Sequence, residues 1–271
     1  MELQLQGRTA YAYTGGKPFD PRLPCVVFIH GALNDHSVWT LLARWFAHHG
    51  HGVLALDQPG HGRSDGPPLA DVEALADWTL ALLDAAGLAA DAPAALVGHS
   101  MGSLIALEAA ARAPQRVSRL VMVGTAYPMK VSDALLNTAR EAPLKAIDMV
   151  NAFSLSSIAS KPSHPGPGTW LHGANRALMR RVQRGQPALN LFHHDFSLCN
   201  QYAGGIDAAA KVACPVHFIL GTADQMTSPK LTRDIASALK AQVHMLPSGH
   251  CLMQEQPDAT LQALRHSLAA A

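Results

Sequence analysis

Gly98-His99-Ser100-Met101-Gly102 sets one serine between two glycines, a spacing that serves nucleophilic chemistry. A serine hydroxyl attacks a carbonyl only when a base takes its proton, so the chain must also supply a base and a group to orient it. The pattern alone is weak, because a random chain of this length shows it roughly one time in ten. Gly62-Arg63-Ser64-Asp65-Gly66 matches it as well. Context separates the two. Ser100 follows the apolar run Ala94–Val97 and opens a helical pattern carrying Leu104, Leu107 and Ala111, as a serine on a strand-to-helix turn must. Ser64 lies between Pro59-Gly60-His61-Gly62 and Pro67-Pro68, a loop with no helix start. Ser100 is the expected nucleophile and Ser64 an expected loop residue.

Fifteen histidines are present, so position has to choose the base. His250 stands in Leu246-Pro247-Ser248-Gly249-His250, just past the last strand-like run, Val243–Leu246. A loop there leaves the sheet at the same edge as Ser100. The orienting acid should close another strand, and Asp224 in Gly221-Thr222-Ala223-Asp224 follows Phe218–Leu220. Charge developing on a carbonyl oxygen needs fixed donors. The N–H of Met101, at the helix start, is one candidate, and the N–H of Ala32, after His30-Gly31, is the other. His30 itself is expected to brace its loop.

These residues need a scaffold that brings strand ends together. Cys25–Ile29, Val53–Leu56, Ala94–Val97, Leu120–Val123 and Val216–Leu220 are apolar throughout, the mark of strands covered on both faces. Helical patterns lie between and after them: Val38 to His49, Val72 to Ala86, Ser103 to Ala113, Leu231 to Leu239 and Ala259 to Leu268. The alternation predicts a doubly wound, mostly parallel α/β sheet. Leu3 to Tyr13 alternates around Gly7 and predicts an antiparallel hairpin at its edge. From 129 to 207 no good strand run occurs, only helical patches and the Pro/Gly-rich loop Lys161–Gly168, so this stretch reads as a helical insertion roofing the sheet edge.

Composition narrows the function further. The 271 residues are 48% hydrophobic and 15% charged, with a net charge of +1. That balance supports a packed domain and offers no positive field for nucleic acid or an acidic membrane. No run approaches 18 apolar residues, and Met1–Gln6 lacks the pattern of a secretory signal, so no membrane span is expected. The cysteines at 25, 199, 214 and 251 show no CxxC spacing and fit a reducing cytoplasm, where the protein is expected to reside.

Taken in order, His30-Gly31-Ala32, Asp57-Gln58-Pro59-Gly60-His61-Gly62-Arg63-Ser64, Gly98–Gly102, Gly221–Asp224 and Gly249-His250 make the chain resemble the α/β-hydrolase superfamily, in its capped esterase and lipase branch, from about Leu3 to Leu268. The resemblance implies a hydrolase core over 1–128 and 208–271, with a helical cap at 129–207. It implies a Ser100–Asp224–His250 triad with Ala32 and Met101 as oxyanion donors, a small-molecule ester as partner, no cofactor and no metal, and a monomer or homodimer. Serine at position 100 sets the chain apart from the epoxide hydrolases and haloalkane dehalogenases, which use a carboxylate there. Carbon–carbon hydrolases commonly carry Trp after the base, where this chain has Cys251. They remain an alternative to ester hydrolysis, as do thioesterase or perhydrolase chemistry on the same triad and a ligand receptor on this scaffold.

Weaker signals remain. Basic residues outnumber acidic ones in 129–207, and Arg176, Arg180 and Arg184 share a helix face, expected to be solvated, with recognition of an anionic acyl group as the sharper reading. His193-His194-Asp195 is a poor metal set, since adjacent side chains point apart. His48-His49-Gly50-His51 reads as a polar helix end. Met129, Trp170, Met179, Leu191, Phe192 and Phe196 are expected in the cap core or the pocket wall.

Overall fold

The computed structural model describes residues 1–156 and 170–269. The expected loop Lys161–Gly168 lies outside the described residues. Eight strands form one sheet: β1 Glu2–Leu5, β2 Arg8–Tyr13, β3 Cys25–Ile29, β4 Gly52–Leu56, β5 Ala94–His99, β6 Val117–Val123, β7 Val216–Gly221 and β8 Gln242–Leu246. Their order is β1-β2-β4-β3-β5-β6-β7-β8. β1 pairs antiparallel with β2, and β2 with β4, while the pairs from β4 to β8 are parallel. The hairpin turns at Gln6 and Gly7, both at positive φ.

β3, β4, β5 and β7 are buried along their whole length, as uniformly apolar runs demand. Alternate residues serve opposite cores. Val27 and Ile29 face one with Leu82, Leu104 and Leu107, and Val26 and Phe28 face the other with Trp39, Phe46 and Leu264. α2 (Val72–Ala85) and α3 (Met101–Arg112) cover the first face, and α1 (Thr40–His48) the second. At the edge, β8 leaves Val243 and Met245 exposed.

Two of the expected helices open with 3-10 turns. The expected helix from Val38 begins as a 3-10 turn at His36–Trp39, capped by Asp35, whose side chain accepts the Ser37 N–H. The expected helix from Leu231 is a 3-10 turn, Pro229–Thr232, running into a short α9, Arg233–Ala238. Between β6 and β7 the described residues hold α4 (Asp133–Glu141), α5 (Pro143–Ser154), α6 (Leu171–Gly185), α7 (Leu191–Gln201) and α8 (Gly205–Ala209). α4 to α7 share a core of their own containing Ile147, Met179, Leu191 and Phe192, joined by Leu33 from the loop after β3. α8, which crosses position 207, packs on α3. After β8 come α10 (Leu252–Glu255) and α11 (Pro257–Leu268), the latter completing the second face.

The sheet reverses its winding between β3 and β5. In such sheets the crevice outside the carboxyl ends of the strands, at the reversal, is where ligands bind. Here those ends are His30-Gly31-Ala32 and His99-Ser100.

Candidate active site

β5 ends at His99 and α3 begins at Met101, so Ser100 alone makes the turn, with φ +52° and ψ −121°. A non-glycine residue held there costs roughly 1–3 kcal/mol, and its surroundings must enforce it. They do so by proximity. A Cβ on Gly98 would lie 2.1 Å from the Gly102 carbonyl oxygen, and one on Gly102 would lie 2.4 Å from that of Ile29. Only glycine fits either position, which accounts for the glycines flanking the serine. The Ser100 N–H is tied to the Val123 carbonyl at 2.9 Å.

His250 lies just after β8, and Asp224 follows β7. The Asp224 Oδ1 accepts the N–H groups of Met226 and Thr227, both at 2.8 Å. Its Oδ2 accepts the Thr227 hydroxyl at 2.7 Å and His250 Nδ1 at 2.9 Å. Because a carboxylate only accepts, His250 carries its proton on Nδ1 and turns Nε2 outward as a lone pair when neutral. Burial alone would raise the Asp224 pKa, but the charge of His250 and the hydrogen bonds from His250 and Thr227 outweigh it and hold the group below its ordinary 3.8. Thr227, 3.1 Å from His250 Nδ1, is a second brace that the sequence reading did not single out.

Ser100, His250, Ala32 and Thr227 line one cavity of about 330 Å³. Among the described residues no hydrogen bond joins Ser100 Oγ to His250 Nε2; such contacts often tighten only when substrate arrives. The N–H groups of Ala32 and Met101 also have no hydrogen-bond partner among the described residues. Met129, Met179 and Phe196 are on the cavity wall with Met149 and Met226, whereas Leu191 and Phe192 are buried among the helices and Trp170 is exposed. Methionine side chains adapt their shape, so this wall can follow varied apolar groups.

The other polar motifs are internal braces. His30 Nε2 accepts the Gln58 N–H at 3.1 Å, leaving Nδ1 to donate to the Gly31 carbonyl at 2.9 Å. Ser64 donates to the Asp57 carbonyl at 2.6 Å and accepts the Tyr11 N–H at 2.9 Å. Asp35, His36 and Asp57 lie close enough to suggest a cation. Their oxygens are already engaged: Asp57 accepts from His36 and from the Arg63 N–H, and Asp35 from Ser37 and Arg181. Arg176 is paired with Asp148 at 2.5 Å, and neither it, Arg180 nor Arg184 faces the cavity. Lys130 does, with its Nζ on the Asn200 carbonyl at 3.0 Å. Asp195, expected only as part of a weak metal triplet, is 1% exposed and accepts from His61 Nε2 at 2.9 Å and from the Leu33 N–H at 2.7 Å.

The fold is thus a mostly parallel sheet with a strained serine at its reversal point. The chain belongs to the alpha/beta hydrolase family, whose model matches residues 26–263. Over 246 residues it is 26% identical to the (E)-2-((N-methylformamido)methylene)succinate hydrolase of Acinetobacter baylyi, covering 88% of this chain and 85% of that one. A stretch of 105 residues, 38% of this chain, is 38% identical to the sn-1-specific diacylglycerol lipase ABHD11 of Mus musculus and spans 33% of that relative. The enol-lactonase of Burkholderia xenovorans LB400 superposes with a TM-score of 0.83 at 21% identity over 99% of both chains, a likeness of fold. Among the described residues no helix is long and apolar enough to cross a membrane.

Proposed function

We propose that this protein is a serine hydrolase that cleaves carboxylic esters of small to medium apolar substrates through an acyl-enzyme. The observation that carries the reading is the 2.9 Å pairing of Asp224 with His250 Nδ1 in a cavity that Ser100 shares. In this reading Ser100 Oγ attacks the ester carbonyl and His250 Nε2 takes its proton. Asp224 holds the ring and stabilises the imidazolium. The Ala32 and Met101 N–H groups receive the negative charge on the former carbonyl oxygen. The intermediate collapses as His250 returns its proton to the departing alcohol. Water then attacks the acyl group by the same route, releasing acid and free Ser100.

The cavity favours modest substrates. At 330 Å³ it sits at the low end of the ~300–1,000 Å³ usual for ligand pockets, and the helices between β6 and β7 act as the cap that closes it. Relatives that act on a succinate derivative and on diacylglycerol lend support to hydrolytic chemistry at a carbonyl. The four free cysteines fit an intracellular setting. A p-nitrophenyl ester series from acetate to dodecanoate tests the reading. Turnover should be highest for the short acyl groups, with a burst of nitrophenol, and Ser100→Ala should lower it by several orders of magnitude. Undiminished turnover in Ser100→Ala would overturn it.

A further inference from the structure

The loop Gly31–Asn34 runs against the serine turn, where a Cβ on Gly31 would lie 3.0 Å from that of Ser100, and Ala32 lines the same cavity as Ser100, yet its conformation is not one the chain adopts unaided. Leu33, next to Ala32, has φ +52°, a left-handed backbone that a leucine rarely takes. Two contacts hold it there, and both come from the helical segment. Its side chain, fully buried, packs with Ile147, Leu191 and Phe192. Its N–H donates to Asp195 Oδ2 on α7 at 2.7 Å.

The same Asp195 oxygen accepts from His61 Nε2 at 2.9 Å. His61 Nδ1 faces the Pro59 carbonyl at 3.2 Å, so both ring nitrogens point at acceptors, and only the protonated ring satisfies both. The charged form is favoured by the Asp195 charge and hydrogen bond despite burial. Asp195 is therefore a buried carboxylate clamped between a cationic ring and a strained peptide, a fixed point that spans the helical segment and two loops at the sheet edge.

We infer that Asp195, paired with His61, is a positioning residue for the oxyanion loop: it fixes Leu33 so that the neighbouring Ala32 N–H meets the charge formed at Ser100. The inference rests on the ester-hydrolase reading above and adds a consequence to it. The helical segment then contributes to the oxyanion site as well as to the substrate wall, since without Asp195 the loop loses one of the two contacts that hold its backbone.

The test compares Asp195→Leu, Asp195→Asn and Ser100→Ala with the parent protein. It reads kcat and KM on p-nitrophenyl butyrate and the inhibition constant of an alkyl trifluoromethyl ketone. Such a ketone adds to the serine oxygen, whose proton passes to the base, and the resulting tetrahedral oxyanion sits on the same N–H donors. Asp195→Leu should lower kcat about 10- to 100-fold and weaken the ketone by the same factor, with KM within about twofold. Asp195→Asn keeps an oxygen for Leu33 and should recover most of both. If Asp195→Leu does not fold, Asp195→Asn carries the test through the same proportionality, with smaller losses. Unchanged kcat and ketone affinity in folded variants, or a kcat loss without a matching ketone loss, overturns the positioning role. Turnover surviving in Ser100→Ala would instead remove the hydrolase reading itself, so the two failures are separable.

Discussion

His99 Nε2 donates to the backbone carbonyl of His250 across 2.9 Å, joining the serine turn to the loop that follows β8. The carbonyl can only accept, so a proton sits on Nε2, while the buried Nδ1 has no hydrogen-bond partner among the described residues. Burial, then the neighbouring His250, pushes the His99 pKa down to about 3. His99→Leu keeps bulk but removes the donor and leaves a buried carbonyl without it. It should cost about 1–3 kcal/mol of stability in urea unfolding and lower kcat about tenfold. His99→Gln, which can still donate, should retain more of both. Equal behaviour of the two variants would show that the bond does not hold His250 in place.

A second anchor acts from below. Glu255 Oε1 accepts the Gly249 N–H at 3.0 Å, and Oε2 accepts the Ser156 N–H at 2.9 Å and its hydroxyl at 2.5 Å. The His250 N–H is tied to the Ser154 carbonyl at 2.9 Å. The loop bearing His250 is thus fastened to the end of α5. Glu255→Gln turns donors towards donors and should cost about 1.5–3 kcal/mol in thermal or urea melts, with turnover falling while KM changes little.

Acid should weaken the fold through three buried histidines. Burial and nearby His61 push His30 from 6.5 down to about 4, burial and nearby His244 push His217 to about 4, and His99 stands near 3. All three take protons more readily when unfolded. Their contribution is complete above pH 6.5 and is lost as pH falls towards their folded values. His61 has the opposite sign. Burial lowers it, but Asp195 raises it more, so its contribution is full below 6.5 and fades as pH rises through its folded value. Between pH 6.5 and about 4.5 the urea midpoint should drop, with uptake of up to about three protons on unfolding. His99→Gln should make that slope shallower; a midpoint independent of pH in this range would contradict it.

Charge selectivity should follow Lys130 rather than the arginine face. Lys130→Met should raise KM for an anionic half-ester such as monomethyl succinate by up to about fivefold and leave neutral butyrate unchanged, since a solvent-screened pairing is worth little more. Arg180→Ala and Arg184→Ala should alter neither, because neither side chain lines the cavity. Steady-state kinetics on the two esters decide this.

Much of the core was legible because its signals are local. Val26, Val27 and Phe28 are apolar without alternation and are covered on both faces, and Ser100 stands between glycines whose absent side chains make room for backbone. His250 and Asp224 could be placed because each follows a strand. What escaped is what depends on partners distant in sequence. Asp195 and His61 are 134 positions apart, and no spacing rule joins them. One clue was present: Asp195 is an acid embedded among Leu191, Phe192, Leu198 and Cys199 on the buried side of α7, where a charge needs a partner. Thr227 and Glu255 escaped for a different reason. Each looks like an ordinary surface residue until the loop it braces is in place.

Labelling by an alkyl fluorophosphonate, followed by peptide mass spectrometry, tests the central assignment most directly. The account predicts one adduct per chain, on Ser100, formed in step with the loss of ester turnover, absent in Ser100→Ala and greatly slowed in His250→Ala. An adduct on another residue, or turnover that persists once Ser100 is fully modified, would contradict it.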